Sequence, residues 1–252
     1  RGNKYSTPFQ ITDAITYTNR SNMVVLKTMT RAIKMAKERR ATPISDIFGN
    51  KYNVQVFYIY MSSKKISFVL YYFAHFGFNT TFEYFGADKY CKFHKTAPLE
   101  EDSERIYFKF GMIFISVDRA TFEANPLLRQ FIASVLDVQK RNMDVELIEN
   151  TTRWKMVLGS KISENNALVK GEGLLRTFIV SLDHRTIQNI KNLIGGDSKE
   201  STFAVVRYIF LNFANLAAKT NSLANKRIRL SEYLVNPVIQ SIYKKLYRYL
   251  ST

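Results

Sequence analysis

The chain has 252 residues, 46% of them hydrophobic, which is enough for a buried core and argues against a disordered segment. Lys and Arg total 37 against 21 Asp and Glu, so the net charge is +16 and the pI about 9.8, favouring polyanionic partners, nucleic acid first and acidic proteins second. A single cysteine, Cys91, excludes an internal disulfide and a cysteine-rich zinc site, and no apolar run reaches the ~20 residues of a membrane span. The polar start Arg1, Gly2, Asn3, Lys4 lacks the apolar core of a signal peptide. The expectation is a soluble chain in a reducing, cytoplasmic compartment, read as an interior fragment or processed product.

In chain order, the first predicted element is a surface helix over residues 28–40, with Ile33, Met35 and Ala36 inward and Arg31, Lys34, Lys37, Arg39 and Arg40 forming a wide basic flank. Residues 54–60 and 105–117 are rich in aromatic and branched side chains and predict strands that pair in one small sheet. Between them, Ser63 is a candidate cap for a helix that Gly77 ends, and Thr80 with Glu83 has capping-box spacing for a short second helix. Asn125 followed by Pro126 starts a helix that runs to Val138, because Asn caps free amides and Pro suits the first helical position.

The second half reads as helical. Expected helices cover residues 150–158, stopped by Gly159, then 173–182, then 185–194, stopped by Gly195 and Gly196. Asp197 and Glu200 are placed as the capping box of a long central helix over residues 199–218, apolar at Phe203, Val206, Ile209, Leu211, Phe213 and Leu216. A last helix spans residues 231–250, kinked or restarted at Pro237 behind Asn236.

Catalytic signatures are scarce. His75, His94 and His184 lie apart from one another and from Cys91, with no metal-ligand spacing, and Gly171 to Gly173 and Gly195-Gly196 lack the partners of a phosphate loop and read as helix stops. Glu100, Glu101, Asp102 and Glu104 form one acidic cluster, either a solvated loop or, in a hydrolase or nuclease, an acid/base or magnesium site. The tail is different: residues 201–252 carry eight basic residues against the single acid Glu232, a density suited to phosphate. Tyr243, Tyr247 and Tyr249 interleave with Lys244, Lys245 and Arg248, either packing into a core or stacking on bases.

Residues 221–250, NSLANKRIRLSEYLVNPVIQSIYKKLYRYL, resemble a segment of the beta, or second-largest, subunits of multisubunit RNA polymerases. In that family a Gly-Asn-Arg-Arg-x-Arg pattern leads into a Val-Gly-Glu-Leu helix with a polar Asn-Gln. Here the positions read Ala224, Asn225, Lys226, Arg227, Ile228 and Arg229, followed by Glu232 and Asn236. Upstream, SKKISFVLYYFAHFGFNTTFEYF, MVLGSKI and DSKESTFAVVRYIFLNFANLA resemble family elements in the same order, so the likeness covers roughly residues 53–250 and leaves the first fifty unplaced.

The resemblance implies a beta lobe flanking the main DNA channel near the downstream edge of the bubble, gripping DNA without doing chemistry. It implies DNA contacts at Lys226, Arg227, Arg229, Asn221 and Asn225, to which the basic tail adds Lys244, Lys245 and Arg248. In the family the first arginine of the pattern, with an upstream acid, helps form a pocket for an unpaired base. Lys226 and Asn221 stand at those positions, and Lys lacks the planar fork of Arg, so phosphate contact rather than base selection is expected. Arg227 either contacts phosphate or forms a salt bridge to Glu232 or a partner subunit.

No cofactor is expected in this segment, since the family's magnesium aspartates belong to the largest subunit. That beta-prime-like subunit, the remainder of beta and DNA are the implied partners, with no membrane. The fold class expected is α+β, mostly helical with a small antiparallel sheet, lobe-like. Residues 1–50 form an unplaced segment with a basic helix, 51–224 the lobe-like module, and 225–252 the basic motif leading toward the protrusion. Divergence and the abundance of Lys, Asn, Tyr, Phe and Ile suggest an AT-rich viral genome such as that of a large bacteriophage, which would put the chain in host cytoplasm or virion. The alternative is a stand-alone basic nucleic-acid-binding or adaptor module.

Overall fold

In the computed structural model the described residues are 11–13, 16–20, 22–27, 32–61, 64–138, 148–179, 201–218, 226–228, 239 and 241–243. Apolar side chains at every second position build the first architectural unit. Val24 and Leu26, Ile33 and Met35, Phe57 and Ile59, and Ile66 are all at most 1% exposed, and they fall on one face of a five-stranded antiparallel sheet. Its strands are β2 (Thr16–Arg20), β3 (Met23–Lys27), β4 (Ala32–Lys37), β7 (Phe57–Met61) and β8 (Lys64–Ser67), side by side in that order. A hairpin of β5 (Thr42–Ser45) and β6 (Lys51–Val54) is inserted between β4 and β7. β1 (Ile11–Asp13) pairs antiparallel with β12 (Lys226–Ile228).

The basic segment expected as a surface helix over residues 28–40 is therefore corrected to a strand where it is described. Ile33, Met35 and Ala36 fit either period, and pairing with β3 on one side and β7 on the other decides for the strand. This pairing also carries the sheet across the boundary drawn at residue 50.

β9 (Cys91–His94), β10 (Arg105–Phe110) and β11 (Ile113–Asp118) form a separate three-stranded sheet in the order β10-β11-β9. The expected strand over 105–117 is a hairpin turning at Gly111-Met112, and it does not pair with β7 as expected. The strand expected over 54–60 is likewise divided, since β6 ends at Val54 and β7 begins at Phe57.

β8 runs directly into α1 (Phe68–Phe76), every residue of which from Phe68 to Ala74 is fully buried. The expected Ser63 cap lies outside the described residues. Ser67 takes the capping position instead, but its hydroxyl donates to the Ser134 carbonyl at 2.9 Å rather than capping. Gly77 ends α1 as expected, at φ +87°, and α2 (Phe78–Phe85) follows at once. The capping box of Thr80 and Glu83 is not formed, because Thr80 already lies inside α2. The free amide of Asn79 is satisfied by the Glu149 carboxylate at 2.9 Å.

After α3 (Arg119–Ala124), α4 (Pro126–Val138) starts where Asn125 predicted, its Oδ1 accepting from the amides of Leu127 and Leu128 at 3.1 Å. α5 (Thr151–Ser160) is capped by Asn150 and crosses α6 (Ala167–Ile179). The stops read at Gly159 and Gly171 are corrected, since both lie inside helices. A Cβ on Gly159 would sit 1.7 Å from the Ala167 carbonyl oxygen, and one on Gly171 1.8 Å from that of Lys155. Only glycine lets the two backbones approach this closely.

α7 (Ser201–Leu211) and α8 (Phe213–Ala218), separated at Asn212, occupy the expected long helix. They close the buried face of the five-stranded sheet, where Phe57 meets Phe210 at 5.1 Å and Phe213 at 4.9 Å, edge to face. α1 is the hub: Phe73 meets Trp154 of α5, Tyr71 stacks on Phe178 of α6 at 4.5 Å, and the Tyr72 hydroxyl donates to the Phe203 carbonyl at 2.7 Å. The result is an α+β fold with small antiparallel sheets around one aromatic-rich core. The expected helix over 185–194, the stops at Gly195 and Gly196 and the caps at Asp197 and Glu200 lie outside the described residues.

Candidate nucleic-acid interface

Strand alternation that buries Ile33 and Met35 turns Lys34 to the opposite, outer face of the five-stranded sheet. The register continues the pattern: Lys34 lies opposite Tyr60, and Tyr60 opposite Lys65. One row thus reads cation, aromatic, cation across three strands. The next row sets Ala36 opposite Tyr58.

Beyond Lys37 the chain leaves β4 through Glu38, Arg39 and Arg40, pinned by the Glu38 amide on the Val56 carbonyl at 2.9 Å and by Gln55 Nε2 on the Glu38 carbonyl at 3.1 Å. Asn22, in the β2–β3 turn, exchanges bonds with the Lys37 backbone. Together they bound an open cleft of about 470 Å³ with Lys37, Arg39, Arg40 and Lys65 on its walls beside Tyr58 and Tyr60.

Among the described residues Glu38 is the one carboxylate lining the cleft, and it is occupied. Its Oε1 accepts from Lys65 Nζ at 2.7 Å and its Oε2 from Thr42 Oγ1 at 2.8 Å. Burial works to raise its pKa, but the bonds from Lys65 and Thr42 with the Lys65 charge outweigh it and hold the carboxyl below its ordinary value. Lys65 also lies 3.8 Å over the Tyr58 ring. Burial, with the negative charges of Asp137 and Glu38, pushes the Tyr58 hydroxyl well up, so it stays protonated and donates to Asp137. By contrast, Lys34, Lys37, Arg39 and Arg40 form no ion pair among the described residues. Positive charge is left over where the wall meets solvent.

Of the site residues expected from sequence, Lys226 and Arg227 lie in β12, opposite Asp13 and Thr12. Asn221, Asn225, Arg229, Lys244, Lys245 and Arg248 lie outside the described residues. Tyr243 is helical and 74% exposed, so it does not pack into a core among the described residues. The sequence reading saw the basic residues 34–40 and the aromatic run 54–60 but did not bring them together. The missed signal is that both alternate with period two, which strands facing each other would share.

Two side chains of the acidic cluster are engaged within the fold. Glu101 Oε1 accepts from Asn50 Nδ2 at 2.9 Å and Arg119 Nη2 at 3.4 Å, and Asp102 Oδ1 accepts from the Glu104 amide at 2.8 Å. His94 Nε2 lies 2.8 Å from Ser116 Oγ, the geometry of a base and nucleophile. Yet Ser116 is 0% exposed and its Oγ also takes Arg105 Nη2 at 2.9 Å, so this is a buried polar hub that no substrate reaches. Burial also pushes the Cys91 thiol up to about 12, which leaves it inert. Among the described residues no three His, Cys, Asp or Glu side chains converge to hold a metal, and no helix is long and apolar enough to cross a membrane.

The family model described as "Non-virion RNA polymerase subunit" matches residues 1–251. No curated protein matches the chain.

Proposed function

This chain belongs to the non-virion RNA polymerase subunit family, and from that premise we propose that it holds nucleic acid for the enzyme without taking part in bond chemistry. Membership makes it a subunit of a viral RNA polymerase, at work inside a nucleotidyltransferase complex and partnered by other polymerase subunits. It favours an assembled enzyme over a stand-alone module, and the family's non-virion description favours host cytoplasm over the virion.

The carrying observation is the cationic cleft on the outer sheet face, where Arg39 and Arg40 are exposed without ion-pair partners among the described residues. Unpaired guanidinium groups at a concave wall are suited to phosphate, and the net charge of +16 adds long-range attraction to a polyanion. Chemistry is assigned elsewhere: within the acidic cluster Glu101 is engaged by Asn50 and Arg119, and magnesium is left to the largest subunit.

A finer reading keeps the beta-lobe resemblance. In its support, the stretches that carry the resemblance form, in the same order, two helices about Gly77, the end of α5 at Ser160 and the α7–α8 pair. On this reading the chain grips downstream or bubble DNA, with Lys226, Arg227, Arg229, Asn221, Asn225, Lys244, Lys245 and Arg248 as further DNA contacts.

The test is the assembled polymerase carrying Arg39→Ala with Arg40→Ala. Template-dependent RNA synthesis should fall and become more salt-sensitive while subunit composition stays constant. Synthesis equal to the parent enzyme at every salt concentration would overturn the nucleic-acid role of the cleft.

A further inference from the structure

Resting on that reading, we infer that the cleft is built for a single strand, with one unpaired base laid on Tyr60 and the adjoining phosphates on Arg39 and Arg40. The two tyrosines of the cleft are not equivalent. Tyr58 is 8% exposed, one ring face is covered by Lys65 and its hydroxyl is committed to Asp137. Tyr60 is half-buried, and among the described residues its ring stacks on no other ring and its hydroxyl bonds to nothing. It stands between Lys34 and Lys65 in the register, an aromatic surface with a cation on either side. Stacking platforms flanked by positive charge bind single strands, because every base has a π-face and every linkage a phosphate.

Shape selects between single and double strands. A concavity of about 470 Å³ is of the size that accepts a small ligand such as one nucleotide unit. A duplex keeps its bases stacked inside and can touch only the rim, at Arg39 and Arg40. Glu38 sharpens the placement. Its carboxylate, held charged by Lys65 and Thr42, repels phosphate from its own side and leaves the exposed Arg39 and Arg40 side chains as the phosphate contacts.

The inference is tested by fluorescence anisotropy on the full chain with a 5′-labelled thymidine DNA oligonucleotide, a uridine RNA of equal length and a mixed-sequence duplex DNA. Each probe is titrated against the parent chain, Tyr60→Ala, Tyr60→Phe and the Arg39→Ala, Arg40→Ala pair, with circular dichroism confirming that each variant is folded. The single strands should bind more tightly than the duplex. Tyr60→Ala should weaken single-strand binding about tenfold and leave duplex binding unchanged, while Tyr60→Phe retains parental affinity. A preference for the DNA strand would name bubble DNA as the occupant, and one for RNA the transcript; either supports the inference.

Equal affinity for duplex and single strands, or a silent Tyr60→Ala, overturns the single-strand assignment while leaving the nucleic-acid role intact. No binding to any of the three probes overturns both.

Discussion

The two faces of the five-stranded sheet, built from the same alternating residues, have opposite chemistry. Inward, Ile33, Met35, Phe57 and Ile59 are at most 1% exposed, and Phe57 meets the rings of Phe210 in α7 and Phe213 in α8. Outward, Lys34, Tyr60 and Lys65 share a row, and the charge is only partly compensated by Glu38. The inner face spends its side chains on stability, whereas the outer face sets the exposed Lys34 and Lys65 and the half-buried Tyr60 beside the buried Val25, Ala36 and Tyr58. Substitutions should therefore separate into two kinds, those that unfold the chain and those that only disarm it.

The largest effect belongs to the interior. Gly159→Ala drives a methyl into the Ala167 carbonyl oxygen, where backbone cannot yield cheaply, and should cost upward of about 4 kcal/mol in denaturant unfolding. Phe57→Ala should cost about 3–4 kcal/mol by the same measurement, since it empties the space between Phe210 and Phe213. A loss below about 1 kcal/mol in either would mean that the described packing is not the packing in solution.

On the outer face, Arg39→Ala with Arg40→Ala should shift unfolding by no more than about 0.5 kcal/mol. The slope of log affinity for nucleic acid against log salt should become shallower by about two, one for each lost phosphate contact. The smallest effect is that of Glu38. Its carboxyl is held below the ordinary glutamate value, so its contribution is fully present above that ordinary value and is lost as pH falls through the lower native one. Solvent screening of this half-exposed pair keeps the contribution under about 1 kcal/mol. Glu38→Gln should abolish that part of the acid dependence in unfolding measured from pH 6 to pH 3, and an unchanged acid profile would remove the pair from the stability account.

Several local signals in the sequence were legible. Asn125-Pro126 started α4, Asn150 capped α5 and Gly77 separated α1 from α2, because caps and stops act through backbone groups a few positions away. Signals that need a distant partner were not. AIKMAK fits a strand or a helix until β3 and β7 are laid beside it, and Gly159 reads as a stop until Ala167 is known to cross it. The candidate site failed for the same reason. Its cations and tyrosines were noticed separately, and only the β4–β7 register makes them neighbours.

The closing of the sheet by α7 and α8 also sets an order of events during synthesis. Phe57 leaves the ribosome roughly 150 residues ahead of Phe210 and Phe213, which at typical elongation rates is a wait of roughly ten seconds or more. During that interval the apolar face of Val24, Met35, Phe57 and Ile59 has strands but no lid. Nascent chains of this subunit are therefore most vulnerable to one another, and most in need of a chaperone, before residue 218 has emerged, and a polysome crowded with stalled copies is where aggregation would begin.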